Sequence, residues 1–325
     1  MVGEEVAIAM VARRHHYVPK CYLNLFSNEV SGKQSRELTT YDSAERKSFK
    51  TAPENVALEK DFNTIDIDGH EPDEFEKALA EVESDIGPAL TRIVEAKSIS
   101  NENDKELLLT LIALLHVRNP RFRERRRCFQ EAVQKRILDM LFSNRELFAS
   151  QMKRAQADGF VPEGELPDFE DVKKNYNEKD FKAVIPVVEH LISEVDLFNH
   201  VMPLLRERGW VVVKAAEGSQ FVTGDHPVSL MWSEPKRAPI GLKLKGTEVI
   251  FPISPTLAVI GAYEIKDGQA DFTGEQVAPL NGTTILNSQR QIYALNDDFK
   301  YQIDQSKSPL ASGELLKDSD FRSYK

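Results

Sequence analysis

The stretch LLLTLIALLHV, residues 107–117, decides the fold because it is apolar on almost every side of a helix. A helix at a protein surface carries one apolar stripe, whereas a helix that is apolar all round is buried in the core. The stretch is much shorter than the roughly 20 residues that a membrane-spanning helix needs. Asn101 and Asp104 form a helix-cap pattern before it, and Pro120 interrupts it. We therefore predict a central, buried helix here.

The segments on either side of this helix are also predicted to be helical. Apolar residues recur at spacings of three and four over residues 75–93, which predicts an amphipathic helix that packs on the core. A charged helix is expected from Pro120 to Phe142, and residues 181–205 return to the helical period. A polar linker, residues 158–176, separates the last two. The middle of the chain is thus expected to be a block of helices.

Predicted strands lie on both sides of the helical block. Residues 38–41 and 47–51 are expected to form a hairpin. Short segments rich in β-branched and aromatic residues follow the helices, at 210–214, 220–223, 228–232, 249–253 and 257–263. Strands, then helices, then strands indicate an α+β protein rather than an alternating α/β one. We expect an N-terminal extended segment and hairpin, a central helical block and a C-terminal, mainly antiparallel sheet.

The domain organisation is predicted from length and composition. The chain has 325 residues, and domains usually have roughly 100–200. Residues 1–14 are expected to be a flexible N-terminal extension, residues 15–296 a single α+β domain, and residues 297–325 a polar C-terminal tail. Hydrophobic residues make up 41% and charged residues 29% of the chain, as in ordinary globular proteins.

Charge and cysteine usage exclude some classes of protein. The formal net charge of −10 argues against a protein that coats nucleic acid through its overall charge. Glu4 and Glu5 stand where a signal peptide would be basic. Cys21 and Cys128 are not part of a CxxC pair, so a disulfide is not expected. A cytoplasmic protein without a membrane partner is the resulting prediction.

The first candidate site residues are His15, His16 and Tyr17, which precede Pro19. Successive residues of an extended segment point to opposite faces, so at most one of the two histidines is expected to face a given site. Histidine transfers protons near neutral pH and binds metals, which makes both histidines catalytic candidates. In the structural alternative, one histidine caps a turn and the other is solvated.

The second candidate is the sequence Gly-Asp-His-Pro at residues 224–227, directly after a predicted strand. A carboxylate held by a Gly/Pro turn at a strand end is often an active-site group, which makes Asp225 a catalytic candidate and His226 a supporting one. Alternatively, Asp225 hydrogen-bonds only the backbone of the turn near Pro227. The spacing of these residues does not separate the two alternatives.

Arginines and glutamates provide the remaining candidates. Arg118, Arg121 and Arg125 have the spacing of one helical face and could bind the phosphates of a nucleic acid or nucleotide. A solvated face is the alternative for the last two. Arg118 ends the most hydrophobic helix, so we expect it to be half-buried and to need an anionic partner. Glu76 and Glu83 lie on one edge of a predicted buried helix face, where they could pair with Arg118, ligate a metal or border the core.

Common cofactor motifs are absent from the sequence. It contains no phosphate-binding glycine loop, GxSxG elbow, HExxH motif or cysteine cluster. The cofactor and any metal ligands are therefore unknown, and a divalent metal ion is one option that stays open.

Several motifs, taken in order, resemble one bacterial family, domain of unknown function 4238. They are HHYVPKCYLNLF (15–26), VALEKDFNTID (56–66), the two helical glutamates, LLHVRNPRFRE (114–124), FVTGDHPV (221–228) and FPISP (251–255). The resemblance runs from about residue 15 to about residue 295. The positions it carries over are His15, His16, Tyr17, Pro19, Tyr22, Phe26, Glu76, Glu83, Arg118, Pro120, Asp225, Pro227, Pro252, Pro255 and Asn281. Asn63 departs from the aromatic residue usual in the family, and His226 from the usual asparagine.

Two functions are compatible with these residues, because the family name implies no reaction. The first is a phosphoester hydrolase, a nuclease or nucleotide hydrolase, with a histidine as general base or metal ligand. Arg118 would stabilise phosphate charge and Asp225 would orient the histidine or a metal. A role in bacterial antiviral defence or stress response fits such an enzyme. The second is a non-catalytic ligand- or protein-binding module whose polar residues form a buried structural network. The presence of proton-transferring and charge-stabilising groups at loop and strand ends favours the enzyme.

Overall fold

The structure is a computed structural model that describes residues 13–323 except 33–34, 163, 165, 179–183, 235, 237 and 305. Its first elements are mainly short strands. They are β1 (Arg14–His16), β2 (Asn28–Glu29), β3 (Arg36–Asp42), β4 (Lys47–Thr51) and β5 (Leu58–Lys60), with the one-turn helix α1 (Lys20–Leu23) after β1. β3 and β4 form the predicted hairpin. β1 pairs with β5, which places the histidine motif beside the segment that leads to Asn63.

The helical block follows. Its members are α2 (Glu74–Ala96), α3 (Glu102–Val117), α4 (Pro120–Leu141), α5 (Arg145–Ala157), α6 (Phe169–Glu178) and α7 (Val187–Arg206). The side chain of Asn101 caps α3 by accepting hydrogen bonds from the backbone amides of Asn103 and Asp104. Leu111, Ile112 and most other apolar residues of α3 are buried. The predicted central helix is confirmed.

The regular structure after α7 consists mainly of strands. It contains β6 (Gly209–Ala215), β7 (Thr223–Gly224), β8 (Ser229–Trp232), β9 (Thr247–Ser254), β10 (Leu257–Ala262), β11 (Gly268–Phe272), α8 (Gly274–Asn287), β12 (Gln291–Ala294), β13 (Lys300–Tyr301) and β14 (Leu310–Ala311). One sheet has the order β11-β6-β10-β9-β8, and a second has the order β2-β3-β12-β7 with β4 beside β3. β11 runs parallel to β6, and the other pairs of these two sheets are antiparallel. The α+β class is confirmed.

The second sheet lies between two hydrophobic clusters. Tyr293 on β12 belongs to the larger cluster with α1, α2, α3 and α7, whereas its neighbour Ile292 belongs to a smaller one. Side chains alternate across a strand, so consecutive residues serve different clusters. The smaller cluster also buries four aromatic or apolar residues of the segment predicted to be a polar tail. They are Phe299, Tyr301, Leu315 and Phe321. The structure differs from the prediction here because a few large apolar residues suffice to anchor a mainly polar segment.

The chain forms two compact units, one made of the residues up to Asn119 and from Val187 on, the other of Pro120–Pro186. The smaller unit holds α4, α5 and α6 and has its own aromatic cluster, in which Phe142 contacts Phe148 and Tyr176. The single domain expected over residues 15–296 stays a prediction. Residues 1–12 of the expected extension lie outside the described part, whereas Arg13 pairs with Asp61 and Arg14 begins β1. No helix in the described part is long and apolar enough to cross a membrane.

Candidate functional site

His15 is buried on β1 and has a defined hydrogen-bond partner. The backbone N–H of Asn63 donates to its Nδ1 over 2.9 Å. A backbone amide can only donate, so Nδ1 of His15 is an acceptor and the proton of the neutral ring is on Nε2. Oε1 of Glu76 lies 3.9 Å from the same Nδ1, beyond hydrogen-bond distance. That oxygen instead accepts a hydrogen bond from Nδ2 of Asn63. Asn63 therefore links His15 to Glu76.

His16 is half-buried, and its ring is kept neutral by its surroundings. Burial lowers the pKa of His16 below its ordinary value of 6.5. The charge of Glu76 and a hydrogen bond to the backbone of Val56 oppose this change, and the charges of Lys20 and Arg14 add to it. Its Nδ1 is buried and has no hydrogen-bond partner among the described residues. An imidazole that is neutral at pH 7, and that has a ring nitrogen not engaged in a hydrogen bond, can accept a proton.

Arg118 joins the end of α3 to β1 and α2. Pro120 disfavours helical geometry just before it, and Arg118 leaves the helix with φ −103° and ψ 81°. The guanidinium is buried, donates from one NH2 group to the carbonyl oxygen of His16 over 2.8 Å, and lies 4.0 Å from Oε1 of Glu83. Glu83 is thus an anionic neighbour of Arg118, at the outer limit of an ion pair.

Glu76 and Glu83 stand on α2 at the edge of this group of residues. Their side chains are 30% and 27% exposed, so both carboxylates reach solvent. Burial raises the pKa of Glu83 above its ordinary value of 4.5, Arg118 opposes the rise, and the charge of Glu76 adds to it. We call His15, His16, Asn63, Glu76, Glu83 and Arg118 the histidine–glutamate cluster. It combines a neutral histidine with a carboxyl group that retains its proton more strongly than an ordinary glutamate.

Asp225 has a different environment from the one its sequence suggested. Its Oδ1 accepts from the amide of Gln289 at 2.7 Å, and its Oδ2 accepts from the amides of Arg290 and Gln291 at 2.8 Å each. In the part of the chain that the structure describes, the carboxylate makes side-chain hydrogen bonds only with this segment, and neither histidine contacts it. The turn near Pro227, proposed as its partner in the structural alternative, was the wrong segment. Asp225 fixes the entry to β12.

The burial of Asp225 predicts a pH-dependent stability. Burial raises the pKa of Asp225 from 3.8 to about 6, although the three amides oppose the rise. The folded chain therefore binds the proton more tightly than the unfolded chain, and this stabilisation is full below pH 3.8 and lost as the pH rises through about 6. From pH 3.8 to 7 the free energy of unfolding should lose roughly 3 kcal/mol relative to Asp225→Asn, which cannot titrate. Urea unfolding of both proteins across this range measures the difference, and parallel pH dependences would contradict the assignment.

Three supporting candidates also serve the fold. Burial raises the pKa of Tyr17 well above its ordinary value, and the charge of Asp225 adds to the rise. The Tyr17 hydroxyl is therefore influenced by the Asp225 carboxylate. Nδ1 of His226 is 2.8 Å from Nδ2 of Asn287. Asn281 is fully buried and hydrogen-bonds the backbone of Gln220, Val222 and Lys300. Asn281 thus joins three segments and is not part of the histidine–glutamate cluster.

The expected arginine face is not formed. Arg118 lies beyond the end of α3, and Arg121 and Arg125 lie on α4, which starts at Pro120. The i, i+3, i+7 spacing was wrong as a description of one helix because Pro120 begins a new one. Arg125 is exposed and Arg121 half-buried.

A metal site is not apparent among the candidate residues. Within the described ranges, no group of three or more histidine, cysteine, aspartate or glutamate side chains is placed to hold a metal ion. His15, a candidate base or metal ligand, and Asp225, expected to orient the histidine or a metal, are held by different backbone segments. Asn63 is the site residue that motif reasoning missed, and its departure from the family pattern was the one signal that marked it.

The comparisons with known proteins give one match. The family model described as Protein of unknown function (DUF4238) matches residues 14–298, most of the chain. No curated protein and no solved structure matches the chain.

Proposed function

The chain belongs to the DUF4238 family of proteins of unknown function, and from this premise we propose that it is a phosphoester hydrolase, a nuclease or nucleotide hydrolase. The observation that carries the proposal is the opposite perturbation of two groups that Arg118 connects. The pKa of His16 is lowered by burial, and that of Glu83 is raised by burial. Pairs of titratable groups whose surroundings shift their pKa values in this way mark acid and base assignments.

The proposed reaction uses His16 as general base and Glu83 as general acid. His16 takes a proton from a water molecule as its oxygen attacks phosphorus, and Glu83 gives a proton to the leaving oxygen as the P–O bond breaks. A protonated Glu83 carries no charge, so it does not repel the phosphate. Arg118 holds the backbone of His16 and faces Glu83, which fixes the base relative to the acid.

Positive charge near the base favours an anionic substrate. Arg14 and Lys20 both act electrostatically on His16, and Arg14 is exposed. They replace Arg118 as the proposed phosphate contacts, because Arg118 is buried. In the smaller unit, and independently of these two residues, exposed Arg125 is proposed to contact a nucleic-acid phosphate. The same proposal places the protein in the cytoplasm and gives it a role in bacterial antiviral defence or stress response.

The second candidate function is a non-catalytic ligand- or protein-binding module. One observation favours it: Asp225 and Asn281, two of the polar residues singled out from sequence, are fully used in hydrogen bonds to the backbone. Buried polar groups of this kind are required by the fold whether or not a reaction occurs.

A substrate panel tests the enzyme proposal. Purified chain is incubated with single- and double-stranded DNA, RNA and nucleotides, with and without Mg²⁺, Mn²⁺ or Zn²⁺, and with EDTA. We expect turnover on one of these classes that survives EDTA, because a histidine and a glutamate act as base and acid. Loss of turnover in EDTA would contradict the acid–base mechanism. No turnover on any substrate would favour the binding module.

A further inference from the structure

Asn63 makes two contacts that no motif predicted. It is completely buried. Its backbone N–H donates to Nδ1 of His15, and its side-chain amide donates to Oε1 of Glu76. The two contacts start from one residue, so the position of Asn63 sets both partners together.

The backbone contact determines which nitrogen of His15 carries the proton. An amide N–H needs a lone pair, and Nδ1 offers one only when it is unprotonated. Protonation of His15 at Nδ1 would break this hydrogen bond and bury the amide without a partner, which is unfavourable. His15 is therefore held as the neutral tautomer with hydrogen on Nε2, a hydrogen-bond donor on that side.

The side-chain contact holds Glu76 close to the ring of His15 without forming an ion pair with it. Its Oε1 lies 3.9 Å from Nδ1 of His15, and Nδ2 of Asn63 takes the hydrogen bond. The charge of Glu76 then acts on His16, whose pKa it raises against the effect of burial. The position of Asn63 thus affects both histidines through different atoms.

We propose that Asn63 is a positioning residue that fixes His15 as a hydrogen-bond donor and Glu76 as a neighbour of the base, so that His16 alone serves as the base. The part concerning the base rests on the proposed hydrolase function. The part concerning the tautomer does not, since it follows from the hydrogen bond of Asn63 to His15.

Nitrogen NMR of the ring tests the tautomer directly. Histidine-labelled protein at neutral pH is examined by long-range proton–nitrogen correlation, and the His15 signals are assigned by their loss in His15→Gln. We expect an unprotonated Nδ1 and a protonated Nε2 in the wild type, and the same in Asn63→Ala, which retains the backbone N–H. Hydrogen on Nδ1 in the wild type would overturn the proposal, whether or not the protein turns over any substrate.

Matched substitutions test the roles in turnover. Glutamine offers an N–H near the position of Nε2 but cannot act as a base. We expect His15→Gln to stay within about tenfold of wild-type kcat/KM, the scale of one altered hydrogen bond, and His16→Gln to fall by about 10²–10⁴-fold. Equal losses in the two variants would overturn the assignment.

Asn63 itself is tested with two variants that keep the backbone amide. Asn63→Ala removes the contact to Glu76, and Asn63→Asp sets a second carboxylate against it. We expect both to retain the His15 tautomer and to lower kcat/KM, Asn63→Asp more strongly because like charges repel. Wild-type kcat/KM in both variants would overturn the positioning role. If the wild type itself turns over no substrate, the hydrolase proposal fails and the tautomer measurement alone decides the role of Asn63.

Discussion

Replacing His16 with alanine is expected to lower kcat/KM by about 10²–10⁴-fold, the usual effect of losing a general base. The reason is that the ring of His15 is engaged by the amide of Asn63, and Glu83, whose pKa is raised by burial, is assigned to the acid. The change removes a half-buried ring, so the variant should remain folded. Steady-state kinetics on the substrate found in the panel measures the loss.

A second histidine provides the control. His200 is exposed on α7, where its Nδ1 lies 2.7 Å from the carbonyl oxygen of Asp196. His200→Ala is expected to leave kcat/KM unchanged, since the residue belongs to no part of the histidine–glutamate cluster. Similar rates for a folded His16→Ala variant and for His200→Ala would show that His16 is not the base.

Replacing Arg118 with alanine is expected to lower the free energy of unfolding by about 3–5 kcal/mol, as for other buried charged groups that lose a partner. The substitution removes the hydrogen bond to the carbonyl oxygen of His16 and leaves Glu83 without its positive neighbour. It also opens a cavity between α3, α2 and β1. Urea unfolding followed by circular dichroism gives the difference between wild type and variant.

Arg125→Ala is the matched control, because Arg125 is exposed on α4. Surface substitutions of this kind usually change stability by no more than about 0.5 kcal/mol. If Arg118→Ala were as mild as Arg125→Ala, the guanidinium would have to be solvated, and its role in holding His16 would be lost.

The elements of the fold were largely predictable because hydrophobic periodicity is a local signal. The apolar run of residues 107–117 indicated α3 and its burial, and the segments 38–41 and 47–51 indicated the β3–β4 hairpin. The burial of Phe299 and Phe321 was not predictable in this way. Their segment is polar overall, and the residues they contact, such as Ile292, belong to another element.

The candidate site was predictable only in part, because hydrogen-bond partners depend on contacts between distant segments. The types of His15, His16, Glu83 and Arg118 indicated chemistry, and these residues do lie together. The sequence around Asp225 could not indicate that its partners are amides some 64 to 66 residues further along the chain.

Asn63 is a residue whose role in the site could not be predicted from the sequence. Its main contribution to His15 comes from its backbone amide, which every residue except proline possesses, so its identity carries little information. The pairing of β1 with β5, which brings Asn63 to His15, is a long-range contact. His15 could therefore be predicted from the sequence, whereas Asn63, which fixes its tautomer, could not.

The pH dependence of kcat/KM tests the central claim, an acid–base hydrolase built on His16 and Glu83, most directly. Activity should rise with pH as His16 loses its proton, at a pKa below 6.5, and fall as Glu83 loses its proton, at a pKa above 4.5. We therefore expect a bell-shaped profile with its optimum between the pKa values of His16 and Glu83, and a Glu83→Gln variant that is much slower and lacks the falling limb. A wild-type profile that keeps rising to alkaline pH, or an unchanged falling limb in Glu83→Gln, would contradict the claim.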